Sequence, residues 1–373
     1  MLRTRVRERA PAVVLALGLA AIAGLVTVVS VSAGPNVWTP LGGPNITGGT
    51  VAALAVDPTI SRTAYAVVNA PGGESVYWGQ VGKVFKTTNG AATWTPVYTP
   101  QIRLESLAVT GTEVYVGGWG HQALSSIYHS DDGGLSWNGV YTTADSWNSV
   151  HALAIDPTDA NRVYAGGMEG PADNSSTYYG VVYRSIDGGV NWTSPLTVPN
   201  LGRFCSLAIN PVTPTIMLAG GFDGSASKGF IYRSVDAGDN WGRVYTASQE
   251  AFNHITSLAF HPLTPTVAYA LEGWPGTACT LLRSDDEGVS WGVLTESAGP
   301  FVLEPPNTVY VVQASGVVSK SINGGDNWDD VGYCPGSVQC LDIDLVDASH
   351  VLYAGLYDEG IRTSSDGGGT WAE

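Results

Sequence analysis

Three observations predict an all-β propeller, a closed ring of seven blades that are four-stranded and antiparallel. An octet of the form Ser/Thr, any, Asp/Asn, any, Gly/Ala, any, Ser/Thr/Asn, Trp recurs along the chain. Its copies are TTNGAATW from Thr87, SDDGGLSW from Ser130, SIDGGVNW from Ser185, SVDAGDNW from Ser234, SDDEGVSW from Ser284, SINGGDNW from Ser321 and SSDGGGTW from Ser364. The tryptophans that close them, Trp94, Trp137, Trp192, Trp241, Trp291, Trp328 and Trp371, lie 43, 55, 49, 50, 37 and 43 residues apart, the length of a propeller blade. Beyond residue 33 the apolar runs are short and no segment carries the period of a helix.

The elements follow in order. Residues 1–33 are a positive segment with Arg3, Arg5, Arg7 and Arg9, then an apolar run from Pro11 to Ala33 that ends in Val31-Ser32-Ala33. This pattern predicts a signal peptide, or an uncleaved anchor, since residues 11–33 are long enough to span a bilayer; both place the rest outside the cytoplasm. Residues 34–373 are expected to form one domain. Each repeat opens with a strand such as SLAV or ALAI (Leu54, Leu107, Leu153, Leu207, Leu258), turns at residues such as Asp57 and Asp156, and continues in a strand of the VYAGG kind, as at Val163 and Val351. A loop of variable length, a third strand such as GVVYRS or GFIYRS, the octet and a fourth strand complete it. Trp38 opens WTPLGG, which reads as a fourth strand with no octet before it, while only Ala372 and Glu373 follow the last octet. Pairing the N-terminal strand with the last blade would close the ring and cover its edge.

The octet's third position, filled by Asn89, Asp132, Asp187, Asp236, Asp286, Asn323 and Asp366, identifies its role. An amide cannot exchange a proton as a general acid, whereas Asp and Asn both carry a short side-chain oxygen that accepts backbone N–H groups and closes a tight turn. The fifth-position Gly supplies a positive φ, with Ala91 as the exception, and the Trp anchors the turn on the sheet. TTNGAATW has no carboxylate, so calcium binding is not the general purpose of the motif.

These seven octets resemble the Asp box, or bacterial neuraminidase repeat, over residues 38 to 371. That repeat occurs in sialidases, xyloglucan-degrading glycoside hydrolases, the sortilin ectodomain and the photosystem II assembly factor. The resemblance implies a propeller and leaves the activity open, because those families do different things.

Composition narrows the partners. The 373 residues carry a formal charge of −16, and removing residues 1–33, with four Arg and one Glu, takes it to −19. Such a surface repels nucleic acid and anionic lipid and leaves cationic partners, neutral glycans or metal ions as easier company. The six histidines show no ligand spacing and no phosphate loop or nucleophile elbow occurs, so neither a metal site nor a cofactor is expected. Among the four cysteines, Cys334 and Cys340 flank a Pro-Gly turn and are candidates for a local disulfide; the sequence assigns no disulfide to Cys205 or Cys279.

Loops between second and third strands share the face opposite the octets, and there the candidate site residues gather. Aromatic candidates for a ligand are Tyr77, Trp78, Trp119, Tyr178, Tyr179, Phe222, Trp274 and Tyr357. The acids Glu74, Glu169, Asp173, Asp223, Glu272, Asp358 and Glu359 are weak catalytic candidates, and so is Asp342, which stands where other repeats have Ala55, Ala108, Ala154, Ala208, Ala259 and Val302. Stacking on sugar faces and simple loop anchoring both account for such aromatics. Arg103, Arg203 and His254 share one register, three residues before Ser106, Ser206 and Ser257, and would form a small basic cluster suited to a carboxylate or other anion; pairing with Glu105 or Glu250 is the plain alternative.

A sialidase, by the resemblance, would need an arginine triad, a Tyr activated by Glu and an Asp acid. Of the nine arginines after residue 33, Arg184, Arg233 and Arg283 precede octet serines, Arg62, Arg162, Arg243 and Arg362 belong elsewhere in the repeat, and only Arg103 and Arg203 remain for this face. The expectation is therefore an exported, non-catalytic binding propeller that recognises a glycan or an extracellular protein segment, a role that sortilin and the assembly factor make credible by resemblance. The alternative is an extracellular glycoside hydrolase using two of the listed acids.

Overall fold

The computed structural model describes residues 50–69, 81–120, 125–142, 148–170, 178–199, 202–224, 226–248, 253–273, 279–356 and 360–372. Short runs rich in Val, Ala, Tyr and Leu between turn residues all become strands, as β-branched and aromatic composition favours. The first sheet holds β1 (Thr50–Val56), β2 (Ala64–Asn69), β3 (Gly82–Thr87) and β4 (Thr95–Tyr98). An eight-stranded sheet follows, made of two meanders: β5 (Leu104–Thr110), β6 (Glu113–Gly120), β7 (Ile127–Ser130) and β8 (Asn138–Tyr141), then β9 (Asn148–Asp156), β10 (Asp159–Glu169), β11 (Tyr179–Ser185) and β12 (Thr193–Pro199). Three four-stranded sheets come next: β13 (Arg203–Ile209), β14 (Met217–Asp223), β15 (Lys228–Ser234) and β16 (Gly242–Thr246); β17 (Ile255–Phe260), β18 (Ala268–Glu272), β19 (Cys279–Ser284) and β20 (Gly292–Ala298); β21 (Phe301–Glu304), β22 (Thr308–Val312), β23 (Val317–Ser321) and β24 (Asp329–Tyr333). Last is a three-stranded sheet of β25 (Val338–Asp344), β26 (Val351–Leu356) and β27 (Ile361–Ser364).

The all-β propeller is as expected, but the count of seven four-stranded blades is corrected. Among the described residues five blades are built from four-stranded meanders, one of them doubled into eight strands, and the remaining sheet has three. The doubling has a local cause: β6 runs past its own meander and pairs with β9, Trp119 opposite Ser149 and Gly120 opposite Asn148. The Trp38 strand proposed to close the ring lies outside the described residues, as does the signal or anchor segment. Closure among the described residues is made by the first and last sheets. The Val56 N–H donates to Asp342 Oδ2 at 2.8 Å, the Arg62 N–H to Asp344 Oδ2 at 2.7 Å, and Arg62 Nε meets Asp347 at 2.6 Å.

The first strand of each meander is mostly buried along its length and contacts the first strand of a neighbour, so these form the inner layer. The fourth strands are largely exposed or half-buried. Core lies between successive sheets. Val51, Leu54 and Phe85 of the first pack with Cys340, Tyr353 and Ile361 of the last, while Leu104, Val109 and Val116 pack on Tyr65 and Val67. The expected Cys334–Cys340 disulfide is not formed: both are buried thiols, and they belong to different core clusters.

The octets are turns clipped by their own side chains. In SDDGGLSW, Asp132 Oδ1 accepts the Leu135 and Ser136 N–H groups at 2.9 Å each, Ser130 Oγ accepts Gly134 N–H at 2.7 Å, and Trp137 Nε1 donates to the Gly134 carbonyl at 3.1 Å. In TTNGAATW the Asn89 oxygen takes the Thr93 N–H at 2.9 Å. Two successive residues turn left-handed, not only the fifth: Gly133 has φ 70° and Gly134 94°, and Ala91, Ala237 and Glu287 adopt the same region with side chains.

Candidate functional site

The inner strands share a distortion that the repeat text only hints at. In β1, β5, β9, β13, β17 and β25 one residue is left unpaired as a β-bulge, respectively Ala52, Glu105, His151, Cys205, Thr256 and Gln339. A bulge re-aims side chains and sharpens twist. The Gly-Gly pair of the second strand is its counterpart: a Cβ on Gly118, Gly167 or Gly221 would stand within about 2 Å of the carbonyl oxygens of Arg103, Ser149 and Arg203.

On four successive inner strands these bulges bring a polar cluster together. Glu105 is its hub. Its Oε1 accepts Trp119 Nε1–H at 2.7 Å and is ion-paired with Arg103 Nε at 3.2 Å, and its Oε2 meets His151 Nδ1. His151 Nε2 lies 2.7 Å from Ser149 Oγ, and the Trp119 ring stands edge-on to the imidazole at 5.9 Å. Burial pushes the Glu105 carboxyl up, but the charge and hydrogen bonds of His151, Arg103 and Trp119 outweigh it and hold the group at about 2. One strand further, the Arg203 side chain hydrogen-bonds the Cys205 thiol, whose pKa burial raises. His254 stacks on Phe222 at 4.1 Å, and burial, reinforced by Arg203 and His151, lowers it to about 3, so it is neutral. Arg103 thus pairs with the carboxylate of the cluster, and Arg203 stands further along it beside Cys205 and His254.

Of the residues singled out in the sequence, the structure joins Arg103, Trp119, Arg203, Phe222 and His254 in this cluster. Glu105, there only as a pairing partner, is its centre, and Ser149, His151 and Cys205 were missed. Their signal was present: each stands at the register of Arg103 or Glu105 when the repeats are aligned on Ser106 and Ala152.

The other candidates fall elsewhere. Glu272 is buried, with Tyr245 donating to Oε2 at 2.6 Å and Asn253 to Oε1 at 3.0 Å. Asp223 accepts the Ala226 N–H at 3.0 Å and faces Arg243 at 3.4 Å. Glu169 ends β10 beside Tyr141 and Tyr183 and helps raise both phenols. Tyr178 is exposed, Tyr179 packs on a core cluster, and Asp342 sits in the ring closure, away from this face. Glu74, Tyr77, Trp78, Asp173, Trp274, Tyr357, Asp358 and Glu359 lie outside the described residues.

No protein-family model matches the chain, and no curated protein does. Solved structures match it as folds. YCF48 bound to D1 peptide is 17% identical with a TM-score of 0.54, over 83% of this chain and 89% of that one. YCF48 from Cyanidioschyzon merolae is 15% identical with a TM-score of 0.56, over 85% and 95%. An ancestral GH74 enzyme is 19% identical with a TM-score of 0.62, over 90% of this chain but 47% of that one. At such identities the likeness is one of architecture, and the chain is a β-propeller of the kind seen in YCF48 and GH74 proteins.

Proposed function

We propose that this chain is an exported binding propeller that takes an extended, carboxylate-bearing protein segment at the bulged ends of its inner strands. The observation that carries the reading is one polar cluster that holds Arg103, paired with Glu105, and Arg203, beside Cys205 and His254 on β13, in a chain whose formal charge is −16. A repelling surface with a local pair of guanidinium groups selects an anion by position, because Arg binds carboxylates through its planar fork while the surrounding field rejects wrong registers. The peptide-bound YCF48 supports a protein segment as ligand, and residues 1–33 support export. The hydrolase alternative gains nothing here: Glu272 and Asp223 are each held by neighbours, and the chain spans less than half of the GH74 enzyme.

Fluorescence anisotropy with labelled peptides, each as the free acid and as the C-terminal amide, tests this. Free acids are expected to bind at least about tenfold tighter than amides, with Arg103→Ala and Arg203→Ala each removing that preference and added salt weakening it. Equal affinity for acids and amides, or binding only to neutral polysaccharide, would sink the reading.

A further inference from the structure

Within the cluster, three side chains stand in an order that peptide binding does not call for. Ser149 Oγ is 2.7 Å from His151 Nε2, and the other ring nitrogen, Nδ1, faces Glu105 Oε2. Ser149 and His151 are two residues apart on β9, and Glu105 reaches them from β5, the neighbouring inner strand. The carboxylate at Nδ1 fixes a proton there, which leaves Nε2 to accept the serine's hydrogen. Trp119 Nε1 and Arg103 Nε hold the carboxylate in place. The Arg103 side chain is 44% exposed, a cation beside the trio that can meet a developing oxyanion. Ser149 itself is 1% exposed and His151 6%, so the hydroxyl is shielded from bulk water and an acyl donor reaches it only if the neighbouring side chains give way.

We infer that Ser149, His151 and Glu105 form a nucleophile, a general base and an orienting carboxylate that together accept an acyl group from a small carboxylic ester. Ser149 Oγ attacks the ester carbonyl while its proton passes to His151 Nε2. The carbon to alkoxy-oxygen bond breaks and the leaving alcohol takes that proton. Water, deprotonated in turn by Nε2, then attacks the acyl-serine, releasing the carboxylic acid and restoring the Ser149 hydroxyl. Glu105 stays ionised throughout and holds the imidazole.

The test is labelling of the full chain with diisopropyl fluorophosphate, in which the Ser149 oxygen to phosphorus bond forms as fluoride leaves, read by intact mass and peptide mapping. One adduct on Ser149 is expected. It should be absent in Ser149→Ala and form at least tenfold more slowly in His151→Gln and Glu105→Gln, and the wild-type rate should rise with pH along a single limb. An unlabelled wild-type chain, an adduct elsewhere only, or a Ser149 adduct whose rate is flat with pH overturns the proposal and leaves a structural hydrogen-bond chain. Because the wild type alone decides this, a variant that fails to fold does not protect the idea. Peptide binding is a separate readout and stands or falls independently.

Discussion

The Tyr269 hydroxyl donates to the Gly324 carbonyl at 3.0 Å, joining β18 to the octet of the following sheet, and Arg283 Nη1 donates to the same oxygen at 3.1 Å. The arrangement repeats as Tyr65 and Lys86 on Gly133, and as Tyr164 and Arg184 on Ala237. At Lys86, Arg184, Arg233 and Arg283 the basic residue before the octet serine is thus a clamp on the next octet. Removing one of two donors to a shared acceptor leaves it satisfied, so Tyr269→Phe should cost about 1 kcal/mol and Tyr269→Phe with Arg283→Met more than the sum of the two. Urea denaturation of the four members of the cycle measures this; strict additivity would show that the two donors act separately.

Asp342 gives an opposite pH signature to most carboxylates. Burial is the main cause that pushes it up to about 7, against the hydrogen bonds from the Val56 and Ile343 N–H groups. A raised folded value means the stabilisation is complete below the unfolded pKa near 4 and is lost as pH rises through about 7. Asp342→Asn should remove that decline, at the loss of one acceptor for a backbone N–H. Melting temperatures measured across this range would show parallel slopes in both proteins if the group does not titrate there.

Octet carboxylates behave in the usual direction. Asp286 is lowered to about 2, chiefly by the Ser290 hydroxyl and N–H that it accepts. Its contribution is present above the unfolded pKa near 4 and disappears as pH falls through about 2. Since Asn already serves at Asn89 and Asn323, Asp286→Asn should be milder at neutral pH than Asp286→Ala, which should cost about 1 kcal/mol, as the loss of a capping oxygen does. Equal losses for Asn and Ala in thermal melts would mean the backbone acceptor is dispensable.

Glu105 should be the most sensitive single position in the cluster. Glu105→Ala leaves Arg103, His151 and Trp119 without their common acceptor, and breaking a buried ionic hub costs about 3 kcal/mol. Its folded value is depressed, so the wild type should lose this stability as pH falls from about 4.5 to about 2, a loss absent in Glu105→Gln. Denaturant midpoints for both variants against pH are the check, and an unchanged midpoint in Glu105→Ala contradicts the hub.

Much of this architecture was readable because it is periodic. Seven octets with spaced tryptophans announce a propeller, and the Asp/Asn alternation at position three reveals a turn and not an acid. The doubled sheet was not readable, since it depends on β6 running two residues beyond its own meander to meet β9, a distance no repeat encodes. The cluster was half readable: Arg103, Arg203 and His254 share a visible register, but Glu105, His151 and Cys205 occupy bulges, where counting by twos points a side chain to the wrong layer. Their closeness across a Pro-Gly turn also suggested a Cys334–Cys340 bridge that is not formed, since proximity along the chain says nothing about which core each sulfur enters.

The join between β5–β8 and β9–β12 departs from the pattern of clamps. At the clamp position stands His129, which pairs with Glu113 at 2.7 Å and stacks on Tyr115 at 4.0 Å, and the Tyr115 hydroxyl has no hydrogen-bond partner among the described residues. The octet end of this join therefore rests on apolar packing of Tyr115 with Tyr183 and Trp192, while its far end is stitched by the pairing of Trp119 with Ser149. This seam is thus held by main-chain pairing beside the polar cluster and by buried apolar packing, not by a side-chain clamp of the kind made by Lys86, Arg184, Arg233 and Arg283.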